Sequence, residues 1–130
     1  AIKSDHNRSH FYIYFNWLLL KILYMSRYYM AKPLPIRLKA ARKAVGLTQQ
    51  QLGIQLGMEF GSASARMNQY EKGKHAPDYQ TMQRIAQELG YPVAYFYCDD
   101  DLLAELLCAL AKLPKERQQE MLLQLSAPKE

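Results

Sequence analysis

The chain has 130 residues, two cysteines and a formal net charge of +5. This length accommodates one ordinary domain with a modest core. Cys98 and Cys108 lack the spacing of a zinc site or a disulfide framework, which fits a reduced, cytoplasmic setting. The charge is uneven, because residues 31–97 hold nine Lys or Arg against four Asp or Glu, whereas residues 98–130 hold four against seven. The positive middle of the chain favours a polyanionic partner.

The N-terminal segment, residues 1–30, differs in composition from the rest of the chain. Residues 11–25 are rich in aromatics and leucine, but Asn16 and Lys21 interrupt them. The run is shorter than the ~20 apolar residues that a bilayer-spanning helix needs, and no signal-peptide cleavage pattern follows it. Because Met30 stands directly before the domain-like region, we interpret residues 1–30 as upstream translated sequence or a fragment edge. A membrane tether and an extra packing helix are the alternatives.

The apolar residues from Pro35 onward recur at helical spacing, and no alternation typical of strands is present. We therefore predict an all-α fold. Thr48 and Gln51 match a capping box at the start of the second helix, and glycines stand where the first four helices should end. Five helices are predicted within a domain spanning residues 34–97, at residues 35–45, 48–56, 62–71, 77–89 and 92–97.

A C-terminal helical pair is predicted within residues 98–130. Residues 99–101, all Asp, are placed to cap the first helix of the pair. Pro114 interrupts the apolar stripe, and residues 115–125 resume a helix. The stripe is rich in leucine, so we expect the pair to pack on the domain or to mediate dimerisation.

The predicted third helix, residues 62–71, has two contrasting sides. On a helical wheel Ala63, Met67 and Tyr70 share the side expected to face a core. Amide side chains can read adenine, hydroxyls can contact any base, and alanine can touch a thymine methyl group, while Lys and Arg suit phosphates. A solvated polar face is the alternative. The residues that fit DNA contact are Ser62, Ala65, Arg66, Asn68, Gln69, Lys72 and Lys74.

Three stretches together resemble the helix-turn-helix domain of the Cro and lambda-repressor type, the XRE family. They are GLTQQQLGIQLG at residues 46–57, KGKHAPD at 72–78 and QTMQRIAQELG at 80–90. The resemblance covers about residues 35–97. It implies a five-helix lambda-repressor-like domain in which the third helix enters the major groove and the second crosses the phosphate backbone.

The resemblance also implies roles for individual residues. Gln49 falls at a phosphate-contacting position at the start of the second helix. Arg42 and Glu71 match a pair that forms an internal salt bridge in this family. The base-contacting positions correspond to Ser64, Ala65 and Gln69, with Ser62 and Asn68 beside them, and the backbone-contacting positions correspond to Arg66, Lys72 and Lys74.

Two departures from the family pattern are visible. Gly53 stands where the family usually has Ala, at the place where the second and third helices cross closely. The connection at residues 58–64 is about four residues longer than usual, so we expect a longer turn that tilts the third helix or extends its N-terminal end. Phe60, within this connection, either plugs the core or stands exposed.

The sequence therefore predicts a DNA-binding transcriptional regulator, a repressor that binds a palindromic operator in double-stranded DNA as a homodimer. Half-sites should lie ~10 base pairs apart or a multiple of it. Alternatives are the antitoxin of a toxin–antitoxin pair, a protein-binding adaptor, and a membrane-tethered regulator using residues 11–25. No catalytic set, cofactor motif, metal-ligand spacing or small-molecule site is evident in the sequence.

Overall fold

The computed structural model describes residues 14–22 and 32–128. The regular structure of these residues is entirely α-helical, which confirms the predicted fold class. The described residues fall into two compact units, with residues 14–22 in the first and residues 32–128 in the second. The interpretation of residues 1–30 concerns, for the most part, residues that lie outside the described ranges.

The second unit consists of seven helices. Their order and number agree with the five predicted helices and the C-terminal pair. The first helix begins two residues earlier than predicted, because proline is tolerated in the first helical turn, where no backbone N–H partner is needed. The helices are α1 (Pro33–Val45), α2 (Gln49–Gln55), α3 (Phe60–Glu71), α4 (Tyr79–Leu89), α5 (Val93–Tyr97), α6 (Asp101–Ala111) and α7 (Lys115–Ser126).

Side-chain caps fix the starts of three helices. The capping box predicted for α2 is present: the Gln51 backbone N–H donates to Thr48 Oγ1 at 3.0 Å, and the Thr48 N–H donates to Gln51 Oε1 at 2.8 Å. Asp78 caps α4 by accepting the Thr81 N–H at 2.7 Å, and this hydrogen bond lowers the pKa of the Asp78 carboxyl. Asp100 caps α6 in the same way.

The core lies among α1 to α5. Phe96 of α5 is fully buried, and Tyr95 meets it edge to face with ring centroids 5.1 Å apart. Val45, the last residue of α1, is exposed at the turn that begins with Gly46. The buried apolar cluster comprises Leu34, Leu38, Ala41, Leu52, Leu56, Met67, Met82, Ile85, Ala86, Leu89 and Phe96.

The two C-terminal helices are attached differently to this core. Helix α6 packs against α5, and Arg37 of α1 donates to the Cys98 carbonyl at 2.6 Å and to Asp101 at 3.0 Å. Helix α7 has no buried residue. Gln118 connects it to α6 by donating to the carbonyls of Leu110 and Leu113.

The first unit is described only at residues 14–22, which are helical. The ammonium group of Lys21 lies 4.9 Å from the centre of the Trp17 ring, a cation–π distance. Within the two described ranges, no helix has both the length and the apolar character that crossing a membrane requires.

Candidate nucleic-acid interface

The scaffold of the interface is the close crossing of α2 and α3. A Cβ atom built on Gly53 of α2 would lie 2.7 Å from the Cβ of Ala63 in α3. Side chains on both helices therefore have to be minimal at this point, and both residues are buried. The absence of a side chain at Gly53 allows a crossing that the alanine usual in the family would obstruct here, because non-bonded carbons do not approach that closely.

The connection between α2 and α3 is a short turn, and of the two outcomes expected for the additional residues the structure shows the extension of α3 at its N-terminal end. Gly57 adopts a left-handed φ of 83°, and the Met58 N–H returns to the Gly53 carbonyl at 2.9 Å. Helix α3 then begins at Phe60, two residues before the predicted start. The additional residues lengthen the helix, because the Glu59 carbonyl accepts the Ser62 and Ala63 N–H groups as in a first helical turn.

A hydrogen bond from α4 holds this turn in place. The Arg84 guanidinium donates through Nη2 to the Leu56 carbonyl at 2.6 Å. The C-terminal end of α2 thereby has a partner for one of its free carbonyls. The relative orientation of α2 and α3 is consequently fixed by the crossing at Gly53 and Ala63 and by Arg84 of α4, as well as by the turn.

The outer face of α3 carries the predicted base-reading residues. Ala63 and Met67 are buried and Tyr70 is partly buried, as the helical wheel indicates. The residues displayed to solvent along the other side are Ser62, Ser64, Ala65, Arg66 and Gln69. Asn68 is half-buried and lies at the border of this face.

Asn68 belongs to a hydrogen-bond network that the sequence did not reveal. Gln49 Nε2 lies 2.9 Å from Glu71 Oε2 and 3.4 Å from Asn68 Oδ1. The Gln49 amide donor is thus directed at α3, whereas the resemblance implied a phosphate contact. The Asn68 oxygen has an internal partner, which leaves its NH₂ group as the part available for a base edge.

The network ends in a buried ion pair between Arg42 of α1 and Glu71 of α3. Arg42 donates through Nε to Glu71 Oε1 at 2.5 Å and through Nη2 to Oε2 at 3.1 Å. Its Nη1 donates to the Leu47 carbonyl at 2.7 Å. The two side chains are only 9% and 3% exposed. This bidentate pair, which the resemblance implied, fixes the C-terminal end of α3 against α1 and α2.

Basic side chains stand at the end of α3 and just after it. Gly73 takes a left-handed φ of 69°, and the Lys74 N–H returns to the Gln69 carbonyl at 3.0 Å. This helix end leaves both Lys72 and Lys74 exposed. Arg66 lies beside the uncharged residues of the exposed face of α3, and Lys72 and Lys74 lie beyond its C-terminal end, an arrangement suited to a groove bordered by phosphates.

Other candidate sites are less developed. In residues 14–22 and 32–128, no three His, Cys, Asp or Glu side chains group in a way that could hold a metal ion. Cys98 and Cys108 are both free and half-buried, and burial raises the pKa of the Cys108 thiol. An open cleft between α4 and α6 is lined by Gln87, Tyr91, Tyr95 and Lys112.

The chain is similar to known helix-turn-helix proteins. A family model described as Helix-turn-helix matches residues 38–96. The chain is similar to transcriptional regulator BswR, whose crystal structure is known. The two sequences are 46% identical and the two structures superpose with a TM-score of 0.66. The match covers 71% of this chain and 91% of the BswR chain.

Two curated relatives are uncharacterised HTH-type transcriptional regulators, from Sinorhizobium medicae (strain WSM419) and Rhizobium meliloti (strain 1021). Each is 34% identical over 74 residues, which are 52% of this chain and 50% of the relative. The chain thus spans about half the length of these two proteins.

Proposed function

The chain belongs to the helix-turn-helix family of transcriptional regulators, and we propose that it represses transcription by reading a palindromic DNA operator as a homodimer. The observation that carries this proposal is the exposed face of α3, which combines an amide, hydroxyls and a small apolar residue with the cations of Arg66, Lys72 and Lys74. Such a face has the donors, acceptors and methyl groups that base edges in the major groove can match.

In the proposed docking, α3 lies in the major groove and α2 crosses the phosphate backbone. Ser62, Ser64, Ala65 and Gln69 of α3 supply base contacts. The phosphate contacts come from Arg66, Lys72 and Lys74, whose charges provide much of the affinity and make it fall steeply with salt.

Gln49 and Asn68 have a linked role in this docking. Because Gln49 donates to both Glu71 and Asn68, it orients the Asn68 amide toward a base edge. The N-terminus of α2 remains available for a phosphate through its backbone N–H groups. We therefore assign Gln49 primarily to positioning Asn68, and Asn68 to a base contact through its NH₂ group.

The proposed dimer surface is formed by the leucines of α6 and α7. A single half-site offers few contacts, and two-fold operators match two-fold proteins. These leucines are exposed although they are strongly apolar, and no residue of α7 is fully buried. The residues concerned are Leu102, Leu103, Leu106, Leu122, Leu123 and Leu125.

The antitoxin of a toxin–antitoxin pair is the second candidate function. The exposed leucines of α7 favour it, since they would suit a toxin as well as a second copy. The two functions differ in the partner of α7. A toxin-like neighbouring gene whose product copurifies with this chain, and whose capture is abolished by removal of residues 115–130, would select the antitoxin.

Selection of bound duplexes from a random DNA pool by the 130-residue chain tests the proposed function. We expect a palindromic motif, and we expect Asn68→Ala/Gln69→Ala to lose it. The matched control is Gln83→Ala/Gln87→Ala, which removes two exposed amides from α4 and should select the wild-type motif. Absence of any enriched motif, with circular dichroism showing helical protein, would overturn the proposal in favour of a protein-binding adaptor.

A further inference from the structure

We propose that Phe60 is a specificity-determining residue that contacts the C5-methyl group of a thymine; this inference rests on the proposed function. Phe60 is the first residue of α3, and it is 73% exposed. The possibility that it plugs the core is thereby removed. At this exposure the phenyl ring is accessible to a partner at the N-terminal end of α3.

The position of Phe60 is where a recognition helix meets the bases. In helix-turn-helix docking the N-terminal residues of this helix contact base edges. Ser64, one helical turn later, is also exposed, and Phe60 lies at the edge of α3 between Ser64 and the buried Met67. A Cβ atom built on Gly61, the next residue after Phe60, would meet nothing within 4 Å, so the side of α3 at Gly61 is open.

A hydrogen bond connects this end of α3 to the start of α2. Gln50 Nε2, in the first turn of α2, lies 3.4 Å from the Phe60 carbonyl. The Gln50 side chain therefore reaches from the first turn of α2 to the first residue of α3.

The chemistry of the first turn selects the methyl group as the target. Glu59, Phe60, Gly61 and Ser62 include no cation, so this turn is unsuited to phosphates, in contrast to the later part of α3. A phenyl ring has no hydrogen-bonding group. The apolar feature that a base pair presents in the major groove is the thymine methyl, which side chains such as Phe contact directly.

Replacing thymines by deoxyuracil in the selected operator tests this inference, because the replacement removes only the methyl group. For the wild-type chain we expect one position in each half-site at which uracil lowers affinity by roughly three- to tenfold, the value of one buried methyl in an apolar contact. Phe60→Ala should bind the thymine operator about tenfold more weakly and show no further loss at that position. Phe60→Leu should retain part of the uracil penalty.

Two controls separate a base contact from a loss of structure. The midpoint of thermal unfolding of Phe60→Ala should match the wild type, since the ring is exposed. Gln69→Ala should weaken binding yet keep the full uracil penalty, because it removes a different contact. The inference would be overturned if Phe60→Ala still lost affinity on replacement of the thymine by deoxyuracil. It would also be overturned if the wild-type chain lost no affinity at any position of the operator on that replacement. A chain that selects no operator at all would instead overturn the proposed function itself.

Discussion

Helices α4 and α7 have nearly the same length and each carries a stripe of apolar residues, yet only the stripe of α4 is buried. Helix α4 has 11 residues and buries Met82, Ile85, Ala86 and Leu89. Helix α7 has 12 residues and buries none, with Leu122 63% and Leu125 80% exposed. An apolar stripe thus indicates that a helix packs against a partner. Whether that partner belongs to the same chain or to another one depends on tertiary structure.

The largest expected effect concerns the packed region. Glu71→Ala should lower the free energy of unfolding by about 3–5 kcal/mol, because it leaves the buried Arg42 guanidinium without its bidentate partner. Glu88→Ala, which removes an exposed carboxylate from α4, is the control and should change the value by less than about 0.5 kcal/mol. Urea denaturation measures both. A loss below about 1 kcal/mol in Glu71→Ala would show that the pair is not a structural anchor.

Truncating one apolar side chain in each helix tests the difference in burial between α4 and α7 directly. Ile85→Ala should cost about 2–5 kcal/mol, since the side chain is fully buried. Leu122→Ala should cost little in the monomer, because its side chain is largely exposed. Unfolding is measured at protein concentrations low enough to dissociate a dimer. Similar losses from the two substitutions would mean that α7 is packed on its own domain in solution.

The crossing of α2 and α3 provides a third test within the packed region. Gly53→Ala should destabilise by about 1–3 kcal/mol, because the added Cβ would lie 2.7 Å from that of Ala63. This cost exceeds the helix-propensity gain of up to about 1 kcal/mol. Gly61→Ala, with open space around it, should be neutral or stabilising. The difference between the two melting curves isolates the contact, and equal effects would argue against a close crossing.

The smallest expected effect is on association through α7. Leu122→Ala/Leu125→Ala should weaken the proposed dimer by about tenfold, or ~1.4 kcal/mol, from the lost apolar surface. Sedimentation equilibrium measures the dissociation constant. The matched control is Gln119→Ala/Gln124→Ala on the same helix, which removes exposed amides and should leave association nearly unchanged. An unaltered dissociation constant in the leucine variant would remove α7 from the interface.

Much of the fold was predictable because local signals agreed with one another. The Thr48 capping box and the glycine helix ends depend on interactions within a few residues. The buried side of α3, around Ala63 and Met67, follows from helical periodicity. Capping and helical periodicity involve residues close together in the chain, so the sequence alone is enough to predict them.

The candidate site was predictable only in part. The exposed face around Gln69 follows from the helical wheel, and the resemblance supplied the pairing of Arg42 with Glu71. The hydrogen bond from Gln49 to Asn68 joins residues on different helices, and no local pattern announces it. The exposure of Phe60 was left open, because the sequence did not determine whether the additional residues enter a turn or a helix.

The sequence by itself determined where the helices lie and which side of most of them is apolar, because propensity, capping and periodicity act within one or two turns. Tertiary structure alone decided what each apolar side meets. It placed Phe60 and Gly61 in α3, since a four-residue turn held by Gly57 and Arg84 suffices to join α2 to α3. It also left the leucines of α7 uncovered, because burial depends on contacts distant in the chain.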